Sequence, residues 1–575
     1  MVIRRFIMSF EVKLERLSPG SKEGRIGKIH VEIGQKIKPD DIIMEVEGKK
    51  GNIPVKSTVE GFVETLVVDE GETVAIGQLL VNITVEGQDG SALESADIKE
   101  SSEEGKTQEG LETLEADIAI IGGGPGGYVA AIQAAKLGAK VVVIEKEAVG
   151  GTCLNRGCIP TKALVRSAEV FADIKASEEY GILTGTPTVD MAKVIDRKDT
   201  IVYNLVQGIE HLFTKNQIIL KSGTGRIIDN TTVQIDDHTL VKAKDIIIAT
   251  GSKVSKAPFT GTELNNVLCS DDALNLKELP EKIVIIGGGI VGMEFAFIYA
   301  NMGVDVSVIE YMDDILCMLD EDVIAEITAV AKEKNIKLYT SSKVEEILQG
   351  EGSNCIVRFT KDNKTKYISS DKALVCVGRS PQYEDIGIEE MKIEINDQNH
   401  GIKVNSKMQT NIPGIYAIGD VTNIMQLAHV ASHQGIVAVK NILGGNVEMD
   451  YSAVPSAIFT SPEIATVGIG EKDLKDLDKK AIVGKFPFGA NGKAMTYGDT
   501  RGFVKMIKEE NTGKILGCTI IGPHASDLIA QVTLAIKNGL TAIDIINTIH
   551  AHPTTSEAIH EGALSVEGGA LHFAD

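Results

Sequence analysis

No uninterrupted apolar run in the 575-residue chain reaches the ~18 residues that a membrane-spanning helix needs, so a transmembrane protein is not expected. Cysteine is sparse and odd in number: seven residues do not build the disulfide scaffold of a small secreted protein. Basic residues are outnumbered, with 58 Lys and Arg against 81 Asp and Glu. The net charge of −23 argues against DNA or RNA as a partner, because phosphate binding needs concentrated cations. The first ten residues contain two arginines but no apolar stretch and small-residue cleavage site of the secretory kind. What is present is ordinary for a globular chain: 43% hydrophobic and 24% charged residues. A cytoplasmic protein of about four domains is the resulting expectation.

Two internal repeats organise the chain. In the first, Gly24 to Gly34 (GRIGKIHVEIG) is echoed 37 residues later by Gly61 to Gly71 (GFVETLVVDEG). Ile37 matches Val74, and Ile42-Ile43-Met44 matches Leu79-Leu80-Val81. Short β-rich runs punctuated by Gly, Pro and Asp predict a two-fold pseudo-symmetric β-barrel or flattened sandwich over residues 9–85. The stretch that follows, 86–115, has no aromatic residue and is rich in Glu, Ser, Gly, Gln and Thr. It offers too little apolar surface to offset ordering entropy and is expected to be a flexible acidic linker.

The second repeat is longer. ADIAIIGGGPGGYVAAIQAAKLGAKVVVIEK (116–146) is echoed by EKIVIIGGGIVGMEFAFIYANMGVDVSVIEY (281–311). Each reads as a buried strand, a Gly-rich turn, an apolar helix and a second strand ending in an acid. Gly122, Gly124 and Gly127 fill the G-x-G-x-x-G positions of the first copy; Gly287, Gly289 and Gly292 fill those of the second. The first Gly permits the tight turn, the second lets backbone approach a pyrophosphate, and the third allows close helix–strand packing. Glu145 and Glu310, each 23 residues past the first Gly, can accept hydrogen bonds from ribose hydroxyls. Two such units imply two dinucleotides, most simply FAD and a nicotinamide cofactor. Glu310 is followed by Tyr311-Met312-Asp313-Asp314 with no basic residue, which favours NAD over NADP.

Just after Glu145 the chain reads GGTCLNRGCIPTKAL (150–164), with Cys153 and Cys158 five apart. Two buried thiols or half a zinc site are the structural alternatives, and no second C-x-x-C or spaced His pair exists to complete four zinc ligands. Thiols this close can also cycle between disulfide and dithiol. The motif GGTCLNRGCIPTK between two G-x-G-x-x-G units resembles the pyridine nucleotide–disulfide oxidoreductase family, and within it the dihydrolipoamide dehydrogenases. The similarity runs from about residue 116 to the C-terminus, through ATG (249–251), VGR (377–379), IYAIGD (415–420), LAHVASHQG (427–435) and AHPTTSEAIHEG (551–562).

The resemblance implies roles for particular residues. Cys158 is the thiolate against the flavin, and Cys153 the thiol that exchanges with substrate. Lys162 lies near the flavin and pairs with Glu294. Asp420, Gly151, Thr152, Gly225 and Ala428 line the FAD site, and Gly378 lies by the nicotinamide cofactor. His552 and Glu557 form an acid–base dyad that reaches the cysteines from the second subunit of a homodimer. A carboxylate that fixes the histidine tautomer and raises its basicity suits that role. His550 and His560 receive none, and no metal is expected.

The N-terminal repeat in turn resembles a lipoyl domain. In EVEGKKGNIPV (45–55), Lys50 occupies the lipoate-acceptor position, with Lys49 where the family usually has Asp. The expected fold class is α/β: two Rossmann-like domains and an α+β dimerisation domain, preceded by the all-β lipoyl-like barrel. The expected boundaries are 9–85 lipoyl-like, 86–115 linker, 116–262 FAD-binding, 263–387 NAD-binding, 388–453 central and 454–575 interface. The implied activity is reoxidation of protein-bound dihydrolipoyl groups with NAD+. The implied partners are the lipoyl domains and core acyltransferase of a 2-oxo acid or acetoin dehydrogenase complex, or a glycine cleavage system.

Overall fold

The computed structural model describes residues 7–14, 23–38, 41–48, 51–57, 59, 61–68, 70–75, 78–86, 112–352, 354–476 and 480–574. The expected acceptor, Lys50, and its neighbour Lys49 lie outside the described residues, as do 87–111 of the expected linker. The chain forms two compact units, Met1–Gln108 and Glu109–Asp575.

The first unit contains β1 (Ile7–Lys13), β2 (Glu23–Ile29), β3 (Lys36–Ile37), β4 (Ile42–Gly48), β5 (Gly51–Lys56), β6 (Gly61–Leu66), β7 (Thr73–Ala75) and β8 (Leu79–Glu86). They make two separate four-stranded sheets, β1-β8-β6-β3 and β5-β4-β2-β7. The unit is therefore the flattened sandwich of the two shapes expected, and among the described residues the barrel does not close. Its core obeys the sequence repeat. Ile26 and Val63, Val31 and Val68, Ile37 and Val74, Ile43 and Leu80, Met44 and Val81, and Val46 and Ile83 are all buried, each pair 37 residues apart. Strand register repeats as well: Glu47↔Asn52 and Val46↔Ile53 of the β4–β5 hairpin have Thr84↔Ser9 and Ile83↔Phe10 of the β8–β1 pair as counterparts.

The second unit opens with β9 (Glu112–Ile121), α1 (Pro125–Lys136), β10 (Val141–Glu145), α2 (Gly151–Arg156), α3 (Cys158–Lys175), α4 (Met191–Lys215), β11 (Ile219–Ser222), β12 (Gly225–Asp229), β13 (Thr232–Ile235) and β14 (Thr239–Ile248). Strand β9 starts at Glu112, so the last four residues of the expected linker are sheet: they pair with Thr239 to Lys242, and Glu112 takes an ion pair from Lys221. After β15 (Ser252–Val254), a second module follows: β16 (Val267–Leu268), α5 (Ser270–Ala273), β17 (Lys282–Ile286), α6 (Ile290–Asn301), β18 (Asp305–Ile309), α7 (Glu321–Glu333), β19 (Lys337–Tyr339), β20 (Ser342–Gln349), β21 (Cys355–Lys361), β22 (Lys364–Ser370) and β23 (Lys372–Val375). Near-continuous runs such as VVVI (141–144) and IVII (283–286) are buried on both faces, as central strands of parallel sheets require.

The two modules share one topology. The first orders its strands β11-β10-β9-β14, the second β19-β18-β17-β23, all parallel. Each adds an antiparallel three-stranded meander, β12–β14 in one and β20–β22 in the other. The ribbon of β15 with β24 (Arg379–Pro381) carries the chain back.

Residues 388–453 differ from the separate central domain expected. β25 (Ile415–Ala417) joins the first module's sheet alongside β14, and α8 (Ala428–Ile442) packs on α1. Ile393, Ile402, Tyr416, Ile418 and Val437 belong to that module's cores, so this segment completes the first nucleotide-binding module. The remainder is a five-stranded antiparallel sheet with helices. It comprises β26 (Ser456–Ile458), β27 (Glu463–Gly468), β28 (Ala481–Pro487), α9 (Gly492–Tyr497), β29 (Phe503–Glu509), β30 (Ile515–Gly522), α10 (Ala525–Lys537), α11 (Ala542–Ile546) and α12 (Glu557–Ser565).

Candidate active site

Both Gly-rich turns have the geometry their spacing predicts. Gly122 and Gly287 sit at φ +106° and +111°, where a Cβ would lie 2.3 Å from the carbonyl oxygens of Ala249 and Cys376. Gly127 and Gly292 press against the carbonyls of Gly122 and Gly287, with no room for a side chain. The middle glycines differ in kind. A Cβ on Gly289 would meet nothing within 4 Å, and one on Gly124 would meet only the Gly151 Cα at 3.8 Å. Space is kept there in front of α1 and α6, whose N-termini have no side-chain cap and no acid in the first turn. Open room beside uncapped N–H groups fits a pyrophosphate.

The two acids repeat one another atom for atom. Glu145 accepts the Gly123 N–H (2.7 Å) and the Glu147 N–H (2.9 Å). Glu310 accepts the Gly288 N–H and the Met312 N–H (2.7 Å). Each carboxylate is thereby aimed, with lone pairs left for ribose hydroxyls. Burial pushes Glu145 above the usual carboxylate range against the pull of the Gly123 bond. Gly378, at φ +103° and with nothing within 4 Å of its Cβ position, leaves similar room after β23.

Between the modules lie the cysteines. Cys153 on α2 and Cys158 at the first position of α3 are disulfide-bonded, with Cα atoms 4.7 Å apart. Gly157 between them packs on the Thr152 carbonyl. Gly151 backs onto Gly124, tying the cysteine helix to the first glycine turn. One turn into α3, Lys162 Nζ donates to both oxygens of Glu294 at 3.0 and 2.9 Å. Glu294 is buried on α6 and also accepts the Phe459 N–H at 3.0 Å, while the Lys162 ammonium stands 4.4 Å over the Phe459 ring.

Asp420 is held through Ser252 and Arg379, neither of which sequence reasoning selected. Ser252 Oγ donates to Asp420 Oδ2 (2.7 Å) and accepts from Arg379 Nε (2.8 Å). Arg379 Nη2 donates to the Ser252 carbonyl (2.8 Å) and reaches Thr152 Oγ1 (3.4 Å). Burial pushes the Asp420 carboxyl up, opposed by Ser252 and Arg379. Gly225 has a packing reason of its own: a Cβ there would touch Ile121, Ile144 and Val233 at 3.3 Å. Ala428 opens α8, whose N-terminus also lacks a side-chain cap.

His552 and Glu557 pair directly, His552 Nδ1 to Glu557 Oε1 at 2.9 Å, and the Thr554 N–H donates to the other oxygen at 2.9 Å. His552 is 79% exposed, and no hydrogen bond joins it to the cysteines of its own chain among the described residues. His550 bonds Gln531 and the Thr548 carbonyl, and His560 the Ile546 carbonyl, as structural histidines do. Asp320, Asp322 and Glu471 are spaced as metal ligands could be, but the Lys505 ammonium sits among them at 2.7, 2.7 and 3.1 Å.

Two dinucleotide cradles beside a paired disulfide define a nucleotide-dependent thiol–disulfide oxidoreductase. Residues 116–435 match the model described as pyridine nucleotide-disulphide oxidoreductase, and 454–563 match its dimerisation domain. The chain belongs to the pyridine nucleotide-disulphide oxidoreductase family. Residues 11–83 match the biotin/lipoyl domain model described as biotin-requiring enzyme. Among curated proteins, the dihydrolipoyl dehydrogenase of Chlamydia pneumoniae is 43% identical over 464 residues, 80% of this chain and 99% of that protein. One from Bacillus subtilis is 42% identical over 473 residues, with the same coverage, and the mitochondrial enzyme of Sus scrofa 40% over 471, 92% of its length. Among solved structures, the flavoprotein disulfide reductase RclA of Escherichia coli superposes with a TM-score of 0.70 at 28% identity, covering 77% of this chain and 98% of that one. LpdA of Mycobacterium tuberculosis gives 0.73 at 26%, covering 78% and 99%.

Proposed function

We propose that the chain oxidises protein-bound dihydrolipoyl groups to lipoyl disulfide through Cys153 and Cys158 and reduces NAD+, as a dihydrolipoyl dehydrogenase. The observation that carries this reading is the cysteine pair held between two nucleotide cradles, in a chain whose relatives bear that name along nearly their whole length.

The residues divide the work. His552 Nε2 takes a proton from a dihydrolipoyl thiol, while Glu557 holds Nδ1–H and so fixes the tautomer. The thiolate attacks Cys153 Sγ, the Cys153–Cys158 bond breaks, and its electron pair stays on Cys158 as a thiolate. Cys158 is well placed to hold that charge: it opens α3, which has no side-chain cap, and Lys162 lies one turn along. The second substrate thiol then attacks the substrate sulfur of the mixed disulfide. Lipoyl disulfide leaves as the Cys153 thiolate takes the first proton from His552, and His552 then accepts the proton given up by the second substrate thiol. Bound FAD supplies the acceptor for the two electrons of the dithiol, and NAD+ carries them away as NADH with release of a proton.

In this reading Gly122, Gly124, Gly127, Glu145, Gly151, Thr152, Lys162, Gly225, Asp420 and Ala428 hold FAD. Gly287, Gly289, Gly292, Glu310 and Gly378 hold NAD. The dyad serves the cysteines of a second copy of the chain, consistent with its exposure and with the dimerisation-domain match. The first unit carries lipoate on Lys50, which lies in sequence between Gly48 and Gly51, the last pair of the β4–β5 register, and 86–111 tethers it. The partners are the lipoyl domains and core acyltransferase of a 2-oxo acid or acetoin dehydrogenase complex, or a glycine cleavage system, in the cytoplasm. FAD-loaded protein is expected to form NADH from dihydrolipoamide, and Cys153→Ser to lose at least ~100-fold of that rate. A variant with full activity removes the disulfide mechanism. Intact mass and peptide mapping are expected to place a lipoyl adduct on Lys50; an adduct on Lys49, or none, overturns that assignment.

A further inference from the structure

Three distant stretches of the chain meet at one carboxylate. Lys162 comes from α3 of the first nucleotide module, Glu294 from α6 of the second, and Phe459 from the interface domain, directly after β26. β26 lies at the edge of its sheet, and its pairing with β27 ends at Ile458↔Ile464. The next backbone N–H, that of Phe459, lies past the ladder and donates to Glu294 Oε1 at 3.0 Å. Its neighbours fix it there. Ile458 is buried, and the buried Thr460 donates its hydroxyl to the Pro462 carbonyl at 2.7 Å. The Phe459 side chain packs against the core cluster that includes Val165 and Ala168 of α3 and Phe297 and Ile298 of α6. Over its ring stands the Lys162 ammonium, with Nζ 4.4 Å from the centroid.

We propose that Phe459 is a positioning residue for the Lys162 ammonium, so that the interface domain sets where this cation stands beside Cys158. The inference rests on the proposed reading of Cys158 and Lys162 as neighbours of the flavin. Two holds act together. Lys162 Nζ donates to both oxygens of Glu294, at 3.0 and 2.9 Å, and the Phe459 N–H on Oε1 keeps that carboxylate from turning away. The ring then offers the ammonium a face of negative potential on a second side. Lys162 follows Cys158 by four residues on α3, and residues four apart share a helix face. A cation held on that face favours the thiolate of Cys158. The Lys162 side chain is 30% exposed, so an ammonium released from the ring turns toward water and the thiolate loses part of its counter-charge.

The test reads the thiolate by its spectrum. In the FAD-loaded full chain, reduced anaerobically with one equivalent of dithionite, a Cys158 thiolate against oxidised flavin absorbs at wavelengths beyond the flavin's own bands. Phe459→Leu keeps the backbone N–H and the apolar bulk but removes the ring face, and is expected to lower that absorbance about two-fold or more. Phe459→Tyr restores a face and is expected to retain the wild-type band. Lys162→Met is expected to lower the band at least as far, and Phe459→Leu added to Lys162→Met is expected to bring no further loss. A merely structural role would lower the thermal midpoint without following this pattern. An unmoved band in the Leu variant, Leu and Tyr bands that coincide, or a Leu effect undiminished without Lys162 overturns the inference. A wild-type band in Lys162→Met instead defeats the reading of Lys162 as the cation beside the thiolate, and the role of Phe459 falls with it.

Discussion

A glycine that has to be small and a glycine that leaves room are told apart by what a methyl group would meet. At Gly292 a Cβ would sit 2.0 Å from the Gly287 carbonyl, so Gly292→Ala is expected to cost about 2–4 kcal/mol through displaced backbone. At Gly289 the same methyl meets open space, and the backbone (φ −75°, ψ −171°) suits alanine. Gly289→Ala is therefore expected to keep its thermal midpoint within about 1 °C while raising KM for NAD+ by ~10-fold or more, since on the proposed reading the methyl would intrude on the pyrophosphate position. Denaturation and initial-rate measurements on the pair check this; equal effects of both kinds would count against the cradle. The motif spacing already carried this logic, as it did the 23-residue reach to Glu145 and Glu310. It carried nothing of Arg379 and Ser252, because 127 residues separate them and only the β15–β24 ribbon makes them neighbours.

Between elements, Lys505 makes a tie that no motif in the sequence marks. Its place in β29 looks like that of a solvated strand lysine, yet its side chain is fully buried. It bonds Asp320 and Asp322 at the start of α7 and Glu471 of the last domain, so it fastens the second nucleotide module to the interface sheet. Burial alone would raise both aspartates. The Lys505 hydrogen bonds and charge, with the Glu471 and Lys472 N–H groups on Asp320 and Lys485 on Asp322, hold them below the usual range. Their contribution to stability is thus full above about pH 4 and is lost as pH falls through the depressed values. Lys505→Met leaves the carboxylates buried without their cation and is expected to cost about 3–5 kcal/mol at neutral pH. The gap from wild type is expected to narrow on acidification, as the stranded acids take up protons. Denaturant titrations at pH 7 and pH 4 check the sign; a gap that widens at pH 4 contradicts it.

For the whole molecule, the division into two units predicts a division in kinetics. The curated relatives are matched over almost all of their length by 80% of this chain, and the family models for the nucleotide modules and dimerisation domain begin at residue 116. Removing residues 1–108 is expected to leave turnover of free dihydrolipoamide within about two-fold, while abolishing any signal that depends on a lipoyl group carried by the chain itself. Steady-state assays with free and protein-bound substrate separate the two. The number of modules was legible from the repeats, but their limits were less so. Residues 388–453 read as a separate domain because the chain leaves the first module at β15 and returns only at β25, and a strand added from ~165 residues away leaves no local trace.

The matched registers of β4–β5 and β8–β1 have a mechanical consequence. Whatever operation superposes one half of the sandwich on the other carries the Gly48–Gly51 end of the β4–β5 pair onto the Glu86–Ile7 end of the β8–β1 pair. The two places are images of each other and lie in different sheets, so the thickness of the sandwich always separates them. A group attached after Gly48 would therefore act at a stand-off from Ile7 and Glu86, with the buried core of Ile26, Val46, Val63 and Ile83 between them.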